Sequence, residues 1–332
     1  MSTNRSWSAL VLVGLMAYAL PGLTLAQAAY DDLRAVDTAR GAAATRANLP
    51  LTFTTGDGKK LLIQREWKAE EDPAPYKDMA LEQQPFRFDQ RQPTHVYTEQ
   101  RFGQEPLYYF KDVRWVQKDR PAGSKLGRQA YFTSVVVDPE KVKTAYFCMK
   151  PFAPKFLAGH AAIYLEFDQG GFRNLDGESS PGFVLSYEAY LRVSQSYDLI
   201  GGQFSDKFRI TYVGSTWRDF LIRSIQFNKS VVKRWKLKLS RDELRALAHA
   251  VGHTVVADHS DETYNTTRRS CVTAALRLIN EAVSPKRRMP EKLLLGLLQN
   301  PGWALPVLAD NVLRLHGLVE GWKQTITEVP AQ

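Results

Sequence analysis

Between residues 130 and 239 the chain is a series of short runs rich in β-branched and aromatic side chains, each bounded by glycine or aspartate. The pattern predicts strands over Tyr131–Val137, Lys143–Met149, His160–Phe167, Phe183–Tyr190, Phe208–Val213 and Val231–Leu239, with turns at Gln169-Gly170-Gly171 and Gly201-Gly202. From residue 240 the spacing becomes helical. Ser240 with Glu243 three positions later is a capping box, and Leu244, Leu247 and Val251 recur behind it on one side. A second helix is expected from about Cys271 to Val283, with Ala274, Ala275, Leu278 and Ala282 together. A third follows Pro290 through Leu294, Leu295, Leu297 and Leu298, and a fourth covers roughly Pro306 to Leu318. Strands followed by helices predict an α+β domain around an antiparallel sheet with C-terminal helices.

Residues 30 to about 125 have another texture. Strand-like runs at Leu51-Thr52-Phe53-Thr54 and Leu61-Leu62-Ile63 flank the turn Gly56-Asp57-Gly58. Pro73, Pro75, Pro85, Pro93 and Pro106 then interrupt any regular pattern, and Pro121-Ala122-Gly123-Ser124 reads as a loop. This predicts an N-terminal accessory segment over 29–125, ahead of the main domain at 126–332.

The first residues bear on the compartment. Arg5 precedes an apolar stretch from Ala9 to Leu25 broken by Pro21, and Ala26-Gln27-Ala28 is a small-x-small cleavage pattern. Together these predict a secretory signal peptide over 1–28 and an exported, periplasmic chain beginning near Ala29. A membrane anchor would need about 20 unbroken apolar residues, and no later stretch reaches that length.

Composition narrows the class further. With 332 residues, 44% hydrophobic and 24% charged, the chain is neither disordered nor coiled-coil in character. The formal net charge is +9, densest at Lys233-Arg234-Trp235-Lys236-Leu237-Lys238, Arg268-Arg269 and Lys286-Arg287-Arg288. Outside the cytoplasm such a charge favours phospholipid head groups, lipopolysaccharide or wall polymer over nucleic acid, with peripheral contact at an anionic membrane surface. A plain solvated surface accounts for it equally well. The two cysteines, Cys148 and Cys271, are too few for a disulfide scaffold or a four-cysteine zinc site.

The chemistry is reached by elimination. There is no G-x-S-x-G elbow, Walker loop or G-x-G-x-x-G. His249 and His253 are spaced to share a helix face, with His259 beyond, but Ala250 occupies the place where a zinc peptidase carries its glutamate base. No metal or cofactor is therefore called for. His160 and Cys271 make the better constellation. His160 begins an alternating strand. Cys271 opens a helix after Arg268 and Arg269, where the helix dipole and the guanidinium charges are expected to lower its pKa. A histidine alongside could hold the thiolate and later protonate a leaving group. A small buried cysteine and an unrelated histidine remain the simpler alternative.

A histidine on a strand, then further strands, then a cysteine heading a helix resembles circularly permuted papain-like (NlpC-type) folds, including lecithin:retinol acyltransferase and its relatives. More closely, the chain resembles the periplasmic domain of the Lnb-type lipoprotein N-acyltransferases. The likeness runs through Tyr109-Phe110-Lys111-Asp112-Val113-Arg114-Trp115, Gly159-His160-Ala161, Val184-Leu185-Ser186-Tyr187, Leu237-Lys238-Leu239-Ser240 and the approach from Tyr264 to Cys271. It continues in Leu305-Pro306, Leu313 and Gly317-Leu318. The chain departs from the family at Ser270, where asparagine is usual, and at Glu188, where glycine tends to follow Ser-Tyr. It also lacks the membrane-embedded part of a full-length enzyme of that kind.

The resemblance implies a Cys271 nucleophile, a His160 base and an orienting polar group on the next strand, for which Ser186 and Glu188 share a face. Tyr187, Tyr164, Arg268 and Arg269 are the candidate substrate contacts. Three functions stay open. The first is a cysteine-dependent acyl hydrolase or acyltransferase working on lipid or lipoprotein at the membrane surface. The second is a cell-wall peptide amidase or peptidase of the same fold. The third is a non-catalytic binding module in which Cys148 and Cys271 are bridged.

Overall fold

The computed structural model describes residues 51–68, 72–116, 130–152, 158–197, 207–265, 269–289 and 308–330. The expected signal peptide, the loop at 121–124, the Gly201-Gly202 turn, Arg268 and the helix after Pro290 lie outside the described residues.

Strands β1 (Thr52–Thr54) and β2 (Lys60–Leu62) pair as a hairpin whose turn uses Gly58 in the left-handed region, at φ 86°. The remaining strands are β3 (Arg65–Lys68), β4 (Thr94–Arg101), β5 (Gln104–Arg114), β6 (Ala130–Val137), β7 (Val142–Phe152), β8 (Ala158–Phe167) and β9 (Phe172–Asn174). They continue with β10 (Gly182–Tyr190), β11 (Phe208–Thr216), β12 (Val232–Leu237), β13 (Thr263–Tyr264) and β14 (Val319–Ile326). All belong to one sheet with the central order β14-β12-β7-β8-β10-β11-β5-β6-β3. Its pairs are antiparallel except β5 with β11, which meet in parallel at Arg114 and Ser215.

The chain is therefore mixed α+β around a large, mainly antiparallel sheet. The strands expected between residues 130 and 239 form within a few positions of their predicted bounds. Strand β5, in the stretch expected to be irregular, joins the same sheet beside β6 and β11. Its register against β4 skips from Glu99↔Leu107 to Arg101↔Gln104, so Pro106 falls at an irregularity where no ladder hydrogen bond is required of it. A second bulge places Asp112 at φ 64°, and Gln64 secures it from both sides, donating to Oδ1 at 2.8 Å and accepting from its N–H at 2.7 Å.

The sheet is covered on both faces. Helices α2 (Arg241–Val256) and α3 (Cys271–Ala282) pack on one, through Leu247, Val251 and Val255 of α2 and Val272, Leu276 and Ile279 of α3. The capping box read from the sequence closes α2: Ser240 Oγ accepts from Glu243 N at 3.2 Å, and Glu243 accepts from Ser240 N at 2.9 Å. Helix α4 (Ala309–Leu315) adds Val312 and Leu313 to the same core. On the other face, α1 (Trp217–Leu221) runs on into a wider π-helical turn over Ile222–Phe227. Trp217 stacks on Tyr164 at 4.3 Å, and Phe220 and Leu221 pack with Cys148, Ala162 and Val184. Residues 161, 163 and 165 of β8 face α3, whereas 162 and 164 face α1, as strand alternation requires.

Candidate active site

Cys271 is the first residue of α3. Ser270 caps the helix: its hydroxyl accepts from Thr273 N, while Thr273 Oγ1 accepts from Ser270 N at 2.8 Å. The cap is a serine–threonine version of the reciprocal box and fixes the thiol against the sheet. Sγ accepts from the N–H of Ala161 at 3.3 Å and faces the carbonyl of Gly159 at 3.9 Å. The thiol is therefore seated on the backbone immediately either side of His160. A small apolar cavity lies beside it, lined by Ala161, Ile163, Leu185, Tyr187, Ala275 and Leu278.

His160 has the other parity on β8. Its Nε2 lies 3.8 Å from Glu188 Oε1, on the face that α1 covers, and is buried without a hydrogen bond. None of the hydrogen bonds or ion pairs of the described residues joins the imidazole to Sγ. Of the two polar residues expected on strand β10, Glu188 lies beside His160 and Ser186 bonds Glu188. Ser186 Oγ donates to Glu188 Oε1 at 2.8 Å, and Gln90 Nε2 donates to Oε2 at 3.1 Å. Arg223 Nη1 reaches Glu188 at 3.8 Å from the π-helical turn, and its Nε pairs with Asp219 at 3.0 Å. Asp219 also pairs with the fully buried Arg114 at 2.9 Å. Lys150 stands directly opposite His160 in the β7–β8 register.

These neighbours set the protonation states. Burial pushes His160 down to about 4, reinforced by the positive charges of Lys150 and Arg223 and opposed by Glu188. Burial also works against an ionised Glu188. The charges of His160, Arg223 and Lys150, with the Ser186 hydroxyl, outweigh it and hold the carboxyl down to about 2. For Cys271 the outcome corrects the sequence expectation. Burial raises the thiol above its ordinary value, although the Ala161 N–H, the Tyr264 hydroxyl and the amides of Val272 and Cys271 act in the other direction. The helix start and Arg269 do not prevail: Arg269 is exposed and makes no ion pair among the described residues, its backbone bridging Asn265. The resting centre thus holds a neutral thiol and a neutral imidazole.

The structure brings His160, Ser186 and Glu188 together on the α1 face and Cys271 and Tyr187 on the α3 face. Tyr164 stacks between Tyr146 and Trp217, away from the thiol. Lys150, Arg223 and Tyr264 are neighbours that sequence reasoning missed, since only the β7–β8 register, the π-helical turn and the β11–β13 pairing bring them in. His249, the head of the metal-like spacing, is engaged by Tyr108 and Glu105, each at 2.7 Å. Cys148 and Cys271 are both free thiols in different core clusters, so the bridge on which a binding module was argued is not formed.

Residues 129–300 match the family described as the Lnb N-terminal periplasmic domain, over a stretch holding His160, Ser186, Glu188 and Cys271. The chain belongs to that family. The match agrees with the resemblance read from the sequence, and the family's periplasmic character fits the expected location. Within the Lnb domain and the other described residues, no helix is long and apolar enough to cross a membrane. Comparison with curated proteins and with solved structures gives no match.

Proposed function

We propose that this Lnb-family chain is a periplasmic acyl-transfer enzyme working on lipid or lipoprotein at the membrane surface, with Cys271 as its nucleophile. The observation that carries the reading is the seating of Sγ at the head of α3, 3.3 Å from the Ala161 N–H and beside an apolar cavity. The order of strand histidine, further strands and helix-heading cysteine supports a circularly permuted papain-like arrangement. Tyr187 on the cavity side and Arg269 just ahead of the nucleophile are the substrate contacts.

In this mechanism the thiol proton passes to His160, and Glu188, 3.8 Å from Nε2, stabilises the imidazolium that forms. The thiolate attacks the carbonyl carbon of an acyl ester. Amides at the start of α3 receive the oxyanion, the ester C–O bond breaks, and the alcohol leaves with the proton from His160. The resulting Cys271 thioester is resolved by an amine, giving an amide, or by water, giving a free acid. The displaced thiolate recovers its proton through His160.

The test is incubation of the purified protein with a diacylglyceryl lipopeptide in mixed micelles, followed by mass analysis of the products. Loss of one acyl chain from its ester, and its appearance on an amine or as free acid, is expected. Cys271→Ala abolishes it, and persistence of the reaction in that variant refutes the reading.

A further inference from the structure

The segment between Pro85 and Pro93 lies ahead of the stretch that matches the family, yet it reaches the site. It runs along the residues that follow β10 and over β11. Arg87 N donates to Leu191 O at 2.8 Å, Val193 N donates to Pro85 O at 3.1 Å, and Phe86 stacks on Tyr190 at 4.1 Å. A Cβ at Gly214 of β11 would come within 2.7 Å of Pro93 Cγ, so a glycine there lets the segment pass.

Within that segment a 3-10 turn over Phe88–Gln90 carries the buried Gln90 side chain to Glu188. Its Nε2 donates twice, to Glu188 Oε2 at 3.1 Å and to Ala189 O at 3.0 Å, and its Oε1 accepts from Leu191 N at 3.0 Å. Thr211 Oγ1 donates to the Gln90 carbonyl at 3.0 Å and pins the turn to β11. The amide has one workable orientation, because flipping it would set an oxygen against the carboxylate and strand the Leu191 N–H. Of the two side-chain donors to Glu188 among the described residues, Ser186 lies inside the family domain and Gln90 outside it. Oε1 of Glu188 stands 3.8 Å from both His160 Nε2 and Arg223 Nη1. A carboxylate free to choose closes on the charged guanidinium rather than the neutral ring, and the bond on Oε2 opposes that movement.

We infer that Gln90 is a positioning residue of the active site, supplied by the N-terminal segment, which holds the Glu188 carboxylate beside His160. The inference rests on Cys271 and His160 carrying acyl transfer. A glutamine suits the task because it donates to a carboxylate and accepts from a backbone N–H at once, and adds no charge of its own. Gln90 touches neither the thiol nor the ring, so it acts through Glu188.

The test is a double-mutant cycle over Gln90→Met, Glu188→Gln and the two combined, read by NMR titration of the His160 imidazole and by kcat and KM. Glu188 raises the histidine, so Gln90→Met is expected to lower the His160 midpoint, and to move it no further in the Glu188→Gln background. With the lipopeptide, kcat falls about tenfold, the size of one charge-assisted hydrogen bond, while KM is unchanged. Gln90→Asn, an amide one methylene too short for Oε2, gives the same shifts and keeps the test decisive if the methionine variant folds poorly. A midpoint or a kcat equal to that of the unaltered protein overturns the inference, as does an equal loss in the Glu188→Gln background. Turnover absent from the unaltered protein, or retained in Cys271→Ala, would sink the acyl-transfer reading instead, and the His160 titration is read in either case.

Discussion

His160 Nε2 and Glu188 Oε1 stand 3.8 Å apart, a neutral imidazole beside an ionised carboxylate on adjacent strands. The separation is longer than a hydrogen bond, and the same carboxylate is shared with Ser186, Gln90 and Arg223. Glu188 can therefore act on the ring electrostatically without a hydrogen bond that locks it.

Glu188→Gln keeps the size of the side chain and removes its charge. Acyl transfer is expected to fall on the order of 100-fold in kcat, as when an acid–base group loses its orienting partner. Because Glu188 raises the histidine, His160 should titrate lower still, which an NMR titration of the imidazole checks. Unchanged kcat with an unchanged melting temperature would remove Glu188 from the mechanism.

The pH dependence follows from the two shifts. His160 is deprotonated and able to accept a proton above about 4, so it imposes no limb near neutrality. The thiol is raised, so the reactive thiolate fraction grows with pH and is small at pH 6. Labelling of Cys271 and kcat/KM at subsaturating substrate should both climb from pH 6 through pH 9. A plateau already reached at pH 6 would indicate a preformed thiolate–imidazolium pair.

Much of this was legible in the residues. The alternating runs from Tyr131 to Leu237 and the Ser240/Glu243 box gave strands and a helix because local pattern and burial agree there. Cys271 and His160 stood out by residue type and element, and Glu188 by its parity with Ser186. Strand β5 did not, since Pro106 and the charged residues around it read as loop until the neighbouring strands supply its register. The thiol's raised pKa was equally hidden: helix position and arginine count were visible, but the burial that outweighs them belongs to the assembled core. Lys150 and Arg223 act on Glu188 through strand register and a π-helical turn, and neither has a short-range sequence signature.

The charge network behind the site has a structural cost that can be measured. Asp219 is buried between Arg114 and Arg223, and Arg114 is itself sealed from solvent. Asp219→Ala leaves a buried guanidinium without its carboxylate and should lower stability by about 3–5 kcal/mol in denaturant unfolding. Asp176→Ala removes an exposed pair with Arg65 and should cost ~1 kcal/mol or less. Equal losses in the two variants would contradict the burial argument.

The most direct test of the central claim is to trap the covalent intermediate. The protein is mixed with a diacylglyceryl lipopeptide, quenched in acid within the first turnover and digested for mass analysis. The account predicts one acyl chain on Cys271, removed by neutral hydroxylamine as a thioester requires and absent in Cys271→Ala. Acyl transfer without any acylated Cys271, and undiminished in Cys271→Ala, would contradict it.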